Sequence, residues 1–412
     1  MHDRSHAREF AIRILTAVLA EKRPLDELLE SSFAEVPAEL HSWLHDICAG
    51  TLRWMGRLEL ILDSVALKKK PSGWLRKLLL LSAYQIIAQE KVPAAKIVSE
   101  AVAQTKQRHG DSPARFVNAC LRKIADHVRE WREMKMPIEI SEQSRWASLP
   151  EWIWARLVKQ HGLEWAAAFA KSCLERPTTW VRVRSDLKVP WLERGEVEGS
   201  FRVVGGGAIH EKIGFAEGEF FVQDLSNQLL VAEISQILKA NNKCTVLDMC
   251  ASPGGKAVGM AWNGFNVTAS DLDGPRFEML KLSVNRLAPE VKLVKSSELS
   301  SEEQFDLVWV DAPCSATGIV RRHPDVKWMH DENELPDLIS KQQELVTKGW
   351  SKVKEGGLLV YSVCSILEEE GTQAIEKNIL SEGSAELLKR ILLVPHEAPY
   401  GDGFWAVVIK KK

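Results

Sequence analysis

Apolar residues recur at helical spacing along the first third of the chain. Phe10, Ile14 and Val18 stand four apart, and Leu75, Leu79, Ala83, Ile86 and Ile87 form a second stripe. Val98 with Val102, and Phe116, Val117, Cys120, Leu121 and Ile124, make two more. Breaks fall at Pro37, 70–73 (KPSG), Pro93 and 109–113 (HGDSP), where Gly and Pro stop helices. Short connections between amphipathic stripes predict an all-α bundle. Residues 134–137 interrupt the pattern and polar 141–144 follow, which places a boundary at 137. Residues 138–235 mix types. A Trp-rich helix (Trp146, Trp152, Trp154, Trp165) precedes a strand in which Trp180, Val181 and Val183 alternate, a turn at 205–207 and a short strand at 219–222. This predicts a small α+β segment.

From residue 236 the pattern becomes strand–helix alternation. Strands are predicted at 245–249, 266–270, 293–295, 305–310 and 357–362. That spacing implies an α/β domain over 236–412 with a doubly wound, mostly parallel sheet.

Composition narrows the class. The 412 residues are too many for one ordinary core, and 45% hydrophobic with 27% charged residues excludes a wholly disordered chain. No apolar run approaches the ~20 residues of a membrane span, and the N-terminus lacks a secretory h-region. A soluble cytoplasmic protein is expected. Seven widely spaced cysteines without a CxxC pair argue against a disulfide framework or a zinc site, so no metal is expected. The net charge is −2, but residues 1–137 hold 22 basic against 17 acidic residues, a net +5, leaving −7 for the rest. A basic front half permits a polyanionic partner. Ten of the fifteen tryptophans precede residue 192; at helical spacing they are expected in the core before they are expected on bases.

The chemistry concentrates at three strand ends. Residues 246–257 (VLDMCASPGGKA) read as strand, glycine turn and helix, which brings a ligand to exposed backbone amides. The motif is neither a P-loop, which needs an earlier Gly and Ser/Thr after the Lys, nor the dinucleotide GxGxxG. Asp271 closes the next strand, where a carboxylate can hold ribose hydroxyls. Residues 306–328 (DLVWVDAPCSATGIVRRHPDVKW) end the fourth strand with Asp311 and Cys314, and 358–370 (LLVYSVCSILEEE) end the fifth with Cys364. Neighbouring strands bring both thiols to one carboxyl edge, a placement that suggests covalent chemistry more than metal binding.

CASPGGK, DAPCSATG, RRHPDVKW and YSVCS together resemble the S-adenosylmethionine-dependent RNA cytosine-5 methyltransferases, most fully the bacterial ribosomal RNA small-subunit methyltransferase B family. Residues 113–124 (PARFVNACLRKI) resemble the last helix of the family's NusB-like domain, and 401–411 (GDGFWAVVIKK) the family's C-terminus. FVQDLSNQL (221–229) resembles the stretch leading from the RNA-recognition-like middle segment into the Rossmann unit. The resemblance implies a NusB-like RNA-binding domain over 1–137, an RNA-recognition-like segment over 138–235 and a Rossmann-like methyltransferase domain over 236–412. It implies transfer of a methyl group from S-adenosyl-L-methionine to cytosine C5 in small-subunit ribosomal RNA, by a monomer.

Cytosine C5 is too weak a nucleophile to take a methyl from a sulfonium until a thiolate has added to C6. The residue types leave the order of the two cysteines open, because the related DNA enzymes use a Pro-Cys nucleophile, which would be Cys314. The RNA-enzyme resemblance implies Cys364 as nucleophile and Cys314 in product release. It implies cofactor contacts from Cys250, Ala251, Ser252, Pro253, Gly254, Gly255, Lys256, Asp271, Glu298 and Asp311. Asp311 has an alternative task in protonating the cytosine at N3. Arg321, Arg322, His323 and Lys327, just beyond Cys314, are expected to hold RNA phosphates around an unstacked base. The sequence departs from the family pattern at Ser252, Ala257, Val363, Gly371 and Glu298, and none of these changes removes a reactive group.

Overall fold

The helical stripes of the first third become helices α1 (His2–Thr16), α2 (Leu25–Phe33), α3 (His41–Val65), α4 (Gly73–Ala88), α5 (Ala94–His109), α6 (Asp111–Asp126) and α7 (Val128–Arg132). Three more follow: α8 (Ile140–Ala147), α9 (Glu151–His161) and α10 (Leu163–Cys173). The computed structural model describes residues 2–66, 70–89, 92–184, 187–238, 244–376, 379, 384–398 and 401–412. Its chain forms two compact units, Met1–Arg176 with Val320–Glu332, and Pro177–Ile319 with Asn333–Lys412.

The first unit is all helical. Phe10, Ile14, Val18, Leu79, Val98, Cys120 and Ile124 all lie in one core, as their spacing predicts. Two glycines of α3 set how closely its neighbours lie. A Cβ on Gly50 would stand 1.9 Å from Tyr84 Cζ of α4, and one on Gly56 would stand 2.6 Å from the Arg145 carbonyl oxygen of α8. Bare backbone at both positions lets the Tyr84 ring and the α8 main chain rest on α3. Helices α8–α10 therefore extend this unit past residue 137 to Arg176.

The unit is completed by residues 320–332, which arrive from far along the chain. Asp325 Oδ2 accepts from the Leu25 N–H at the start of α2 (2.9 Å). Lys327 Nζ donates to the Arg53 carbonyl (3.0 Å) and Trp328 Nε1 to that of Leu52 (2.9 Å), while Arg53 Nε donates to the Arg321 carbonyl (2.8 Å).

The second unit begins with an antiparallel sheet of β1 (Trp180–Val183), β2 (Leu192–Arg194), β3 (Ser200–Val203) and β4 (Phe220–Val222), in the order β2-β3-β1-β4. Val181, Val183 and Phe220 form its core. After α11 (Leu225–Leu238) come β5 (Thr245–Met249), α12 (Gly255–Trp262), β6 (Asn266–Asp271), α13 (Pro275–Leu287), β7 (Lys292–Lys295) and β8 (Phe305–Asp311). Helix α14 (Leu335–Ser351) leads to β9 (Val353–Val363), then to β10 (Ala385–Leu393) and β11 (Phe404–Lys411). The sheet order is β10-β11-β9-β8-β5-β6-β7. Strands β5 to β9 are parallel and β10 and β11 are antiparallel. One face packs Val246, Leu307, Trp309 and Val360 against α11–α13; the other packs Leu247, Val308, Val310 and Leu359 with Val346 of α14. Burial on both faces explains why β8 reads as a continuous apolar run. Among the described residues, no helix is long and apolar enough to cross a membrane, and no group of three or more His, Cys, Asp or Glu is arranged to hold a metal ion.

Candidate active site

Chain order reverses between β5 and its neighbours β6 and β8, so the crevice for a ligand opens at the carboxyl ends of these strands. The β5–α12 turn carries Cys250 at φ 59° and Gly254 at φ 104°, the latter a left-handed conformation that a side chain would strain. A Cβ on Gly255 would come within 3.1 Å of Gln223 Nε2, whose amide donates to the Gly255 carbonyl (3.0 Å). The turn is tied to β6 through Asp271, only 2% exposed. Its Oδ2 accepts from the Ser252 N–H (2.8 Å), its Oδ1 from the Leu272 N–H (2.8 Å), and both oxygens meet the Arg276 guanidinium at 3.1 and 3.3 Å.

At the end of β8, Asp311 Oδ2 accepts from Lys256 Nζ (2.6 Å). Its Oδ1 accepts from Ser362 Oγ (2.7 Å), which in turn accepts from Trp309 Nε1 (2.9 Å). Lys256 also lies 5.4 Å from the Phe404 ring. Behind them Asp248 is 2% exposed; burial first, against the opposing pull of Lys256 and with Asp311 and Asp271 adding to it, pushes its carboxyl up to about 8. Burial and the same carboxylates push the Cys250 thiol up to about 12, so it stays protonated and unreactive at neutral pH. Asp311 pairs with Lys256 and Asp271 with Arg276, while Asp248 behind them keeps its proton at neutral pH, so the crevice beside the glycine turn is polar and charge-balanced. Glu298 stands exposed in the turn after β7, its N–H bonded to the Lys295 carbonyl (2.9 Å).

The two cysteines meet. Cys314 Sγ and Cys364 Sγ lie 3.3 Å apart, at the carboxyl ends of the paired strands β8 and β9. The hydrogen bond to Cys364, then burial, holds the Cys314 thiol well above its ordinary range. Cys314 is thereby kept as the S–H donor of the pair.

Beneath them lies a polar cluster that sequence reasoning missed. Glu370, 0% exposed, accepts from the Ser315 N–H (2.8 Å), from Ser315 Oγ and from Gln342 Nε2 (3.0 Å). Gln342 also donates to the Pro313 carbonyl (2.9 Å), and Tyr361 Oη donates to the Glu370 carbonyl (2.6 Å). Ser365 Oγ bonds Thr317 Oγ1 (2.9 Å) and lies 3.3 Å from Ser315 Oγ. One carboxylate thus joins the residue after Cys314 to the loop that follows Cys364. The signal was present in the Ser after each Cys and in the LEEE run. The C-terminal GDGF loop closes over the same strands: a Cβ on Gly318 would lie 2.1 Å from the Gly403 carbonyl oxygen, and the Gly318 N–H donates to the Cys364 carbonyl (3.0 Å).

The four residues expected on RNA phosphates are Arg321, Arg322, His323 and Lys327. They belong to the first unit, with Lys327 1% and Arg321 5% exposed. Burial pulls the Lys327 amine down to about 7. Its ammonium is bonded to the Arg53 carbonyl instead of lying open to solvent. His323 faces Asp26 at 3.5 Å, and Arg322 is half-buried.

A seven-stranded sheet of this order, with a glycine turn after its first parallel strand and acids ending the second and fourth, defines a Rossmann-like methyltransferase. A family model described as 16S rRNA methyltransferase RsmB/F matches residues 235–408, and one for the NusB family matches 5–126. The chain is 29% identical over 428 residues to ribosomal RNA small subunit methyltransferase B of Proteus mirabilis, covering 98% of each chain. It is 27% identical over 445 residues to the protein of that name from Klebsiella pneumoniae, covering 100% of each. Its fold is similar to that of the protein PH0851 (TM-score 0.71, 21% identity, 98% of each chain). It is also similar to NSun6 from Pyrococcus horikoshii (TM-score 0.51, 16% identity, 64% of this chain and 98% of that one). The chain thus carries a 16S rRNA methyltransferase RsmB/F domain over residues 235–408 and a NusB-family domain over 5–126.

Proposed function

We propose that this methyltransferase acts on 16S ribosomal RNA, placing a methyl group on C5 of a cytosine through a covalent adduct between Cys364 and C6. The carrying observation is the 3.3 Å approach of two thiols at the edge that also bears the glycine turn and Asp311. S-adenosylmethionine, held by residues 250–256, Asp271, Asp311 and Glu298, would supply the methyl group.

Cys364 adds to C6 as its thiolate; the C5=C6 π bond opens and leaves C5 electron-rich. Cys314, kept protonated, lies 3.3 Å from the Cys364 sulfur, within hydrogen-bond reach of it. After C5 is methylated it loses its proton to a base, the C5=C6 bond re-forms, and the C6–S bond breaks to return the Cys364 thiolate. Cys314 is assigned to this release. Asp311 already accepts from Lys256 and Ser362, which favours an anionic anchor for Lys256 over a proton donor to N3. The target base reaches the thiolate only when unstacked.

Cys364→Ala is expected to abolish methyl transfer to ribosomal RNA, followed by bisulfite sequencing, and near-normal turnover would reject the assignment. Cys314→Ala is expected to accumulate a denaturation-resistant RNA–protein band. Normal turnover without that band would remove its release role.

A further inference from the structure

The helical unit contains a cavity of about 840 Å³, within the roughly 300–1,000 Å³ range of ligand pockets. Trp54 and Arg57 of α3 and Tyr84 of α4 form one wall. Residues 132–136, Trp146 of α8 and the end of α10 with the residues after it form the other, so most of the lining lies beyond the NusB-matching residues 5–126. The cavity is pre-formed: Trp54 Nε1 donates to the Leu174 carbonyl (2.9 Å) and Trp146 Nε1 to that of Met134 (2.9 Å), fixing both indoles.

Its charge is unbalanced. Arg57, Arg132, Lys135, Lys171 and Arg176 line it, against Glu133 and Glu175. Asp46 engages Arg176 at 2.5 Å. Arg57 has no acidic partner among the described residues. It is 4% exposed, its guanidinium lies 4.9 Å from the Trp146 ring and 5.6 Å from the Trp54 ring, and its Nε donates to the Trp146 carbonyl (3.0 Å). Its Nη2 has no hydrogen-bond partner. Burying a cation without a counter-charge is costly, so the site is set up for an anion. Fixed indoles beside guanidinium and ammonium groups are what a base and its phosphate require.

We propose that this cavity holds one unstacked nucleotide of single-stranded RNA, the base against the half-buried Trp54 and the phosphate on the exposed Lys135 and Lys171, with the buried Arg57 adding positive charge behind them, as an anchoring site separate from the methyl-transfer site. The claim is one of binding and does not depend on the cysteine chemistry. The test uses the full chain, a fluorescein-labelled eight-nucleotide single-stranded RNA containing 4-thiouridine, and the exposed pair Lys135→Glu/Lys171→Glu, with Arg57→Met as a second variant checked for folding by circular dichroism. Anisotropy titrations are expected to show at least a tenfold weaker Kd for the double variant and a salt slope shallower by about 1.4, two single-strand phosphate contacts. Photo-cross-links are expected in the peptide bearing Trp54, lost in the double variant and reduced in Arg57→Met. Unchanged affinity with cross-links elsewhere overturns the proposal. Saturable binding of uridine monophosphate, abolished by the variants while RNA affinity stays intact, overturns the RNA assignment in favour of a free nucleotide. Loss of the cross-links to an excess of polyglutamate, but not of unlabelled RNA, overturns it in favour of an acidic peptide.

Discussion

Glu370→Gln isolates the cluster beneath the two thiols. The side chain keeps its shape, and Nε2 can take the place of the Oε2 that met Ser315 Oγ, whose hydroxyl proton can turn towards Ser365 Oγ 3.3 Å away. The remaining oxygen still accepts from the Ser315 N–H and Gln342 Nε2. What is lost is the charge on the acceptor. Hydrogen bonds to a charged group contribute about 1.5–3 kcal/mol against about 0.5–1.5 for neutral ones, so two weakened bonds cost about 2 kcal/mol. At roughly 2–4 °C per kcal/mol for a domain of this size, Tm should fall by about 4–8 °C. The functional consequence should exceed the thermal one. Ser315 follows Cys314 directly, and a looser bond there lets the 3.3 Å sulfur contact open. Misplacement by about 1 Å can cost on the order of a hundredfold, so kcat should drop roughly ten- to hundredfold while S-adenosylmethionine affinity, measured by calorimetry, stays unchanged. Glu370 also raises the Cys314 thiol, so its removal should shift iodoacetamide labelling of Cys314 to lower pH, read by peptide mass spectrometry. Wild-type Tm, kcat and labelling together would refute the reasoning, because a buried carboxylate with three donors cannot be neutralised silently.

Lys327→Met tests the buried lysine. An amine held at about 7 binds fewer protons folded than unfolded, so its cost is full below pH 7 and fades as pH rises towards 10.5. The variant should be more stable than wild type by about 3–4 kcal/mol at pH 6, after about 1 kcal/mol for the lost bond to the Arg53 carbonyl, with the gain shrinking by pH 9; a pH-independent difference in calorimetric scans would contradict this. Asp248→Asn tests the opposite sign. A carboxyl raised to about 8 holds its proton more tightly when folded, so it subtracts stability as pH climbs from about 4 to 8, and the variant should flatten that slope in denaturant titrations. Gly318→Ala should lower stability by about 2–4 kcal/mol and impair methyl transfer, since its Cβ would fall on the Gly403 carbonyl; unchanged thermal unfolding would show that the loop yields freely.

Much of the sheet was legible because fully buried parallel strands cannot hide. The apolar run of β8 and its pairing with β9 follow from hydrophobicity and topology, and that pairing alone brings residues 314 and 364 together. The antiparallel strands β2, β3 and β10 were not read. β2 and β3 are only three and four residues long, and β10 leaves charged Glu386, Lys389 and Arg390 on its exposed side, so neither carries an alternating signal. The boundary at 137 rested on a real break in pattern, but the side-chain-free Gly56 on α3 lets α8 pack back onto the helical unit, and a helical stripe does not show where a glycine admits a neighbour.

Two sets of polar residues have surroundings that the sequence does not show, for one shared cause. Arg321 and Lys327 were expected on phosphates because they follow Cys314 at the strand edge; both are buried, and the Arg53 carbonyl and the Trp328 ring, 5.3 Å away, give Lys327 partners that periodicity cannot reveal. Glu370 and Gln342 were passed over because acids in loops and amides on helices are usually solvated; yet both are 0% exposed and together hold Ser315 and the Pro313 carbonyl. A polar residue's role depends on whether its donors and acceptors are matched once water is removed. That matching is a property of three-dimensional contacts between distant segments, 55 residues apart for Ser315 and Glu370 and 274 for Lys327 and Arg53. Reactive groups advertise themselves by type, as the two cysteines did; the groups that hold them in place are distinguished only by what surrounds them.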